Sequence, residues 1–95
     1  MPVYVGDIEY PFGRMLMSHM VADTNEELHA IADKIGVARK WFQGAPKHLL
    51  EHYDICKSKK TLAISYGAIQ MSDREIVKKF KLDEKIQSRQ KQPHP

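Results

Sequence analysis

The chain has 95 residues, 42% of them apolar and 28% charged, with a formal charge of +3. That length suits one core and leaves no room for a second, and the composition argues against a disordered chain. A single cysteine, Cys56, rules out an intrachain disulfide and a cysteine-rich zinc site.

No segment approaches the roughly 18 apolar residues of a membrane span, and Met1–Asp7 lacks the basic start and apolar run of a signal peptide. A cytoplasmic protein that makes no use of a membrane is expected. The charge is uneven: from Lys78 onward six bases face two acids, which leaves the rest of the chain at −1. The expected division is a single domain over residues 3–84 and a basic tail over 85–95. That tail suits contact with nucleic acid or an acidic partner, or simply solvation of a fraying helix. A domain this small has a modest stability margin, which favours a homo-oligomer.

In chain order, Val3–Ile8 reads as a short strand that ends in a Tyr10-Pro11-Phe12-Gly13 loop. Leu16–Ala22 is nearly all apolar, as in a strand covered on both faces. Thr24 and Glu27 have capping-box spacing, and Leu28, Ile31, Ala32 and Ile35 form one helical stripe before Gly36 ends the helix. Val37–Gln43 reads as a short strand or packed turn, and Gly44–Glu51 as a loop. His52–Cys56 alternates, with Tyr53 and Ile55 on one face and His52, Asp54 and Cys56 on the other. A second helix follows near Ser58–Tyr66, then a strand at Ala68–Met71 and a third helix capped by Ser72 and Glu75. The pattern predicts an α/β domain: a small βαβ-type sheet of about four short strands, at least partly parallel, with three helices.

Ligands of such sheets bind beyond the carboxyl ends of the strands. Asp7, Asp23 and Asp54 fall near such ends, with His19 and His52 close to them in sequence. His52 and Asp54, two apart on a strand, project from one face about 6.6 Å apart at Cα. There they can share a divalent metal, or the carboxylate can orient the imidazole for proton transfer. The candidate catalytic set is His19, His52 and Asp54, and the candidate metal set is Asp7, His52 and Asp54. His19 is open to a second reading, a core histidine bonded to backbone. His29 borders the buried stripe and suits either a site rim or helix packing. Arg39, Lys40, Trp41 and Phe42 offer cations and an aromatic plate to a nucleotide, or else core and interface contacts. His48 and His94 carry no signal. There is no P-loop, dinucleotide fingerprint or zincin motif.

Four segments in order resemble the domain of unknown function 4031 family of bacterial and phage proteins: Val3-Tyr4-Val5 with a following acid and aromatic-Pro; Ser18 to Thr24; Glu27 to Ala30 running on to Ile35–Arg39; and His52-Tyr53-Asp54 followed by Ser58-Lys59 and Gly67-Ala68. The resemblance covers about residues 3–71 and implies no established activity. By its motifs it implies a site drawn from His19, Asp23, His29, Arg39, His52, Tyr53 and Asp54, in which Asp23, His29, Arg39 and Tyr53 bind ligand. The family often carries an acid directly after the first strand. This chain has Gly6 there, and Asp7 next.

Two functions are therefore expected to compete, beside a purely structural reading in which the histidines are core residues and the basic tail an assembly arm. One is a hydrolase or nuclease-like domain that acts on a nucleotide or nucleic-acid phosphate through the His/Asp cluster. The other is a binding module without chemistry.

Overall fold

The computed structural model describes residues 3–44 and 50–80. The elements run β1 (Val3–Gly6), β2 (Tyr10–Phe12), β3 (Met15–Ala22), α1 (Asn25–Ile35), a single 3-10 turn (Arg39–Trp41), β4 (Tyr53–Cys56), α2 (Lys57–Ser65), β5 (Ile69–Met71) and α3 (Asp73–Lys79). The five strands form one mixed α/β sheet.

Strand β3 carries three neighbours. β1 pairs antiparallel with its second half (Val3↔Ala22, Val5↔Met20), β2 with its first half (Tyr10↔Met17, Phe12↔Met15) and β4 with its middle (Met17↔Cys56, His19↔Asp54, Met20↔Tyr53). Met17 and Met20 thus each have a partner on both sides. β1 and β2 must share one edge of β3, with β4 on the other and residues 7–9 looped out between them. β5 adds to β1 in the one parallel pairing (Tyr4↔Ile69, Gly6↔Met71).

Period-two alternation divides the side chains between the faces. Val3, Val5, Met20, Ala22, Tyr53 and Ile55 join Leu28, Ile31, Ala32 and Ile35 of α1 and Ala63 of α2 in the main core. On the other face Tyr4 and Val21 meet Ile76 of α3, with Leu50, Met71 and Phe80 around them. α3 is seven residues long and covers only that end of the face. Among the described residues, no helix lies over the half carrying Met15, Met17 and His19.

Helix α1 forms where its stripe and caps predict. Thr24 Oγ1 accepts the Glu27 backbone N–H at 3.2 Å. The Glu27 carboxylate accepts from the Thr24 hydroxyl at 2.9 Å, so it bonds the cap side chain in place of the cap backbone. Gly36 ends the helix at φ 79°, a conformation that costs a Cβ-bearing residue energy, and Val37 N–H closes the turn on the Ala32 carbonyl at 2.9 Å. Ser72 and Glu75 repeat this arrangement at α3.

The structure refines the sequence expectations at three places. Tyr10–Phe12, expected as loop, is a fifth strand, tolerated with Pro11 at its centre because it pairs only with β3 and leaves its outer edge unpaired by any named strand. Of the short strand or turn expected at Val37–Gln43, the structure has the turn, a 3-10 turn followed by a single bridge, Gln43↔His52. The apolar run of β3 is buried on both faces only over residues 20–22, since Met15 and Leu16 are exposed and Met17 and His19 half-buried. Among the described residues no helix is long and apolar enough to cross a membrane. His48 and the tail from residue 81, with its expected nucleic-acid contact, lie outside the described residues.

Gly6 ends β1 beneath the first turn of α3. A Cβ there would collide with Asp73 Oδ1, while Asp7 Oδ1 holds the Asp73 backbone N–H at 3.2 Å. Gly6→Ala is therefore expected to lower unfolding stability in urea by about 1–3 kcal/mol through overpacking. Adding Asp73→Ala should recover most of that loss, whereas purely additive effects would place its cause elsewhere.

Candidate His–Asp site

The β3–β4 register sets His19 directly opposite Asp54, so both side chains leave the same face of the sheet. His19 Nδ1–H donates to Asp54 Oδ1 at 2.8 Å. The Gln43↔His52 bridge then lays residue 43 beside the outer edge of β4, and Gln43 Nε2–H donates to Asp54 Oδ2 at 2.6 Å. Tyr10, paired with Met17 on β2, brings its ring to 5.3 Å from that of His19 and its hydroxyl to Asp54.

His52 stands on the same face two residues before Asp54. Its Nδ1 lies 2.9 Å from the Leu50 carbonyl oxygen. A carbonyl only accepts, so Nδ1 carries the proton and, in the neutral ring, Nε2 carries the lone pair. That Nε2 faces Asp54 Oδ1 at 3.5 Å. With a proton on Nε2 the ring would form an ion pair with Asp54 at that distance.

The electrostatics follow from this packing. Burial alone would raise the Asp54 pKa, but the hydrogen bonds from His19, Tyr10 and Gln43 and the nearby His52 outweigh it and hold the carboxyl well below its ordinary range. The bond to Asp54 pushes His19 upward against the opposing effect of burial, and the Asp54 and Asp73 charges add to the rise. Tyr10 is driven far up, first by burial and then by Asp54, so its hydroxyl stays a donor.

The other candidates lie elsewhere. His29 is on α1, across the sheet, where Nδ1 meets the Tyr53 hydroxyl at 2.7 Å. Tyr53 is fully buried, Phe42 packs on both rings, and burial raises the Tyr53 pKa. This pair satisfies a core hydroxyl. Arg39 is tied to Asp33 at 3.2 Å on the exterior. Asp23 is 3.9 Å from Lys79 Nζ. Asp7 is occupied with Asp73 and is not in the group of possible metal ligands found among the described residues, which is His19, His52 and Asp54.

Sequence reasoning passed over Gln43 and Tyr10, and no local spacing marks either. Beside Asp54 lies a cleft of about 580 Å³, lined by Tyr10, Phe12, Met15, Met17, Trp41 and Lys59 among others.

A family model described as "Protein of unknown function (DUF4031)" matches residues 3–83. No curated protein and no solved structure matches the chain.

The shifts of His19 and Asp54 set a pH dependence. Protonated His19 is favoured in the folded state, so its contribution is full below its ordinary pKa of 6.5 and is lost as pH rises through the raised value. Ionised Asp54 contributes fully above its ordinary 3.8, and that is lost as pH falls through the lowered value. The gap in Tm between wild type and Asp54→Asn should be widest from about pH 4 to 6.5 and narrow on both sides. Equal gaps at pH 5 and pH 9 would show that the pair does not contribute in this way.

Proposed function

This chain belongs to the domain of unknown function 4031 family, a membership that assigns no chemistry, and we propose from the His–Asp site that it is a divalent-metal-dependent hydrolase of nucleotide or nucleic-acid phosphate esters. One observation carries the reading: His19, His52 and Asp54 each offer a ligand atom, and the three atoms lie within 4.8 Å of one another. Two ligands bound at zinc distances of about 2.0–2.2 Å sit roughly 3.0–3.5 Å apart in tetrahedral or octahedral geometry. Two of the three separations, 2.8 Å and 3.5 Å from Asp54 Oδ1 to the imidazoles, lie close to that range, and a metal there would replace the proton that His19 Nδ1 donates.

The supporting contacts suit this role. The Leu50 carbonyl fixes the His52 tautomer with Nε2 turned inward, and Gln43 orients the carboxylate through its second oxygen. Two imidazoles and one carboxylate leave coordination positions open. A metal there would polarise a phosphoryl oxygen and lower the pKa of a bound water. The chain's own residues hold the ligand atoms in place. Lys59, on the cleft lining, is a cation available to the phosphate.

A specific observation favours the second reading, a binding module without turnover: Asp54 is already engaged by His19, Gln43 and Tyr10, and such a network is self-sufficient without metal. Titration calorimetry with Zn²⁺ and Mn²⁺ decides between them. Saturable one-site binding is expected, absent in His52→Ala and about 10–100-fold weaker in Gln43→Ala. Hydrolysis of bis(p-nitrophenyl) phosphate should require the metal and disappear with EDTA. Absence of metal binding by the wild type would leave the binding module as the reading.

A further inference from the structure

Large apolar side chains are unusually open around one place. Phe12 is 67% exposed, Trp41 60% and Met15 48%, and all three line the cleft beside Asp54. Single exposed apolar residues are ordinary, but a group around one concavity marks a binding surface. The cleft's volume of about 580 Å³ falls within the roughly 300–1,000 Å³ typical of small-molecule sites. We propose that this cleft binds the base of a nucleotide, with Trp41 and Phe12 as its stacking faces.

Three features select that ligand. The aromatic side chains offer flat faces, which suit a planar ring, and Met15 and Met17 add thioethers that pack well on aromatic rings. Lys59 and Asp54 place one cation and one anion on an otherwise apolar lining, so the cleft suits a planar ring with polar edges and Lys59 can meet an attached phosphate. Asp54 and Gln43 belong both to this cleft and to the His–Asp site. Of the three candidate metal ligands Asp54 lines the cleft, and His19 and His52 stand beside it at 2.8 Å and 3.5 Å, so a nucleotide with its base in the cleft would direct its phosphate toward the cluster. This last placement rests on the hydrolase reading; the binding of the base does not. Phe42, the other half of the Trp-Phe pair, is turned inward against His29 and Tyr53 and takes no part.

Trp41 is the chain's one tryptophan, which makes it an unlabelled reporter. Its fluorescence can be titrated with the four common nucleosides, with AMP and with ribose 5-phosphate, in buffer containing EDTA. At least one nucleoside is expected to quench it saturably, while ribose 5-phosphate does not. Phe12→Ala, at an exposed position that folding does not depend on, should weaken that binding roughly tenfold, the usual loss for one stacking face. No quenching by any nucleoside or by AMP, or no effect of Phe12→Ala, would overturn the base site even if phosphodiester turnover were found. Sedimentation showing a dimer that Phe12→Ser dissociates and nucleosides leave intact would overturn it too, in favour of a second copy on this face. Nucleoside quenching without metal-dependent turnover would uphold the base site and sink only the hydrolase.

Discussion

Strand β3 has to satisfy two demands with one register. Its pairing with β4 puts Met20 opposite Tyr53, both fully buried, and the next pair along is His19 opposite Asp54. A slip of one residue would exchange the faces, pushing an imidazole under the helices and a methionine into solvent. Burial of Met20 alone is worth about 1.5–3 kcal/mol, and Tyr53 adds to it with its ring contacts and its bond to His29. The hydrophobic core thus fixes the His19–Asp54 contact, and the site needs no rigid scaffold of its own.

The two faces use the same residue types for different ends. Tyr53 is buried among apolar side chains, and its hydroxyl requires a partner there; His29 supplies one from α1. On the opposite face a half-buried carboxylate collects an imidazole, an amide and a phenol, with a second imidazole 3.5 Å away. A carboxylate held by so many donors is fixed in position and strongly ionised. Among the described residues, α1 and α2 bury the first face over Val3, Val5, Met20, Ala22, Tyr53 and Ile55, while α3 packs on one end of the second.

What could be read from the sequence was local. The α1 stripe, its Thr24 cap and Gly36 stop lie within one helix, and the alternation at residues 52–56 correctly separates Tyr53 from Asp54. The resemblance of four segments to one family agrees with the match over residues 3–83. What could not be read depends on contacts between distant segments. His19 and Asp54 are 35 residues apart, and the His19 environment was open to two readings because an apolar run says nothing of which face lacks a helix. β2 is three residues with a proline at the centre, below the length at which alternation can be seen. Gln43 joins the site through one isolated bridge to His52, a pairing that residue types alone do not encode.

The open half of the second face has a physical cost and a physical means of support. A chain of this size cannot cover every apolar side chain, so Ile64, Leu62 and Ile69 are exposed at scattered places as expected. Phe12, Met15 and Trp41 differ because they converge on one cleft. The first half of β3 is stabilised by backbone pairing, with β2 on one edge and β4 on the other, so its ladder is satisfied without a covering layer. Side chains on that segment are relieved of core packing and can be spent on a ligand. A fourth helix over them would add stability by burying apolar surface, and it would also close the cleft above Asp54. Among the described residues, the short α3 and the backbone clamp around β3 thus leave burial incomplete on this face, and the cleft beside Asp54 is where the sheet stays accessible.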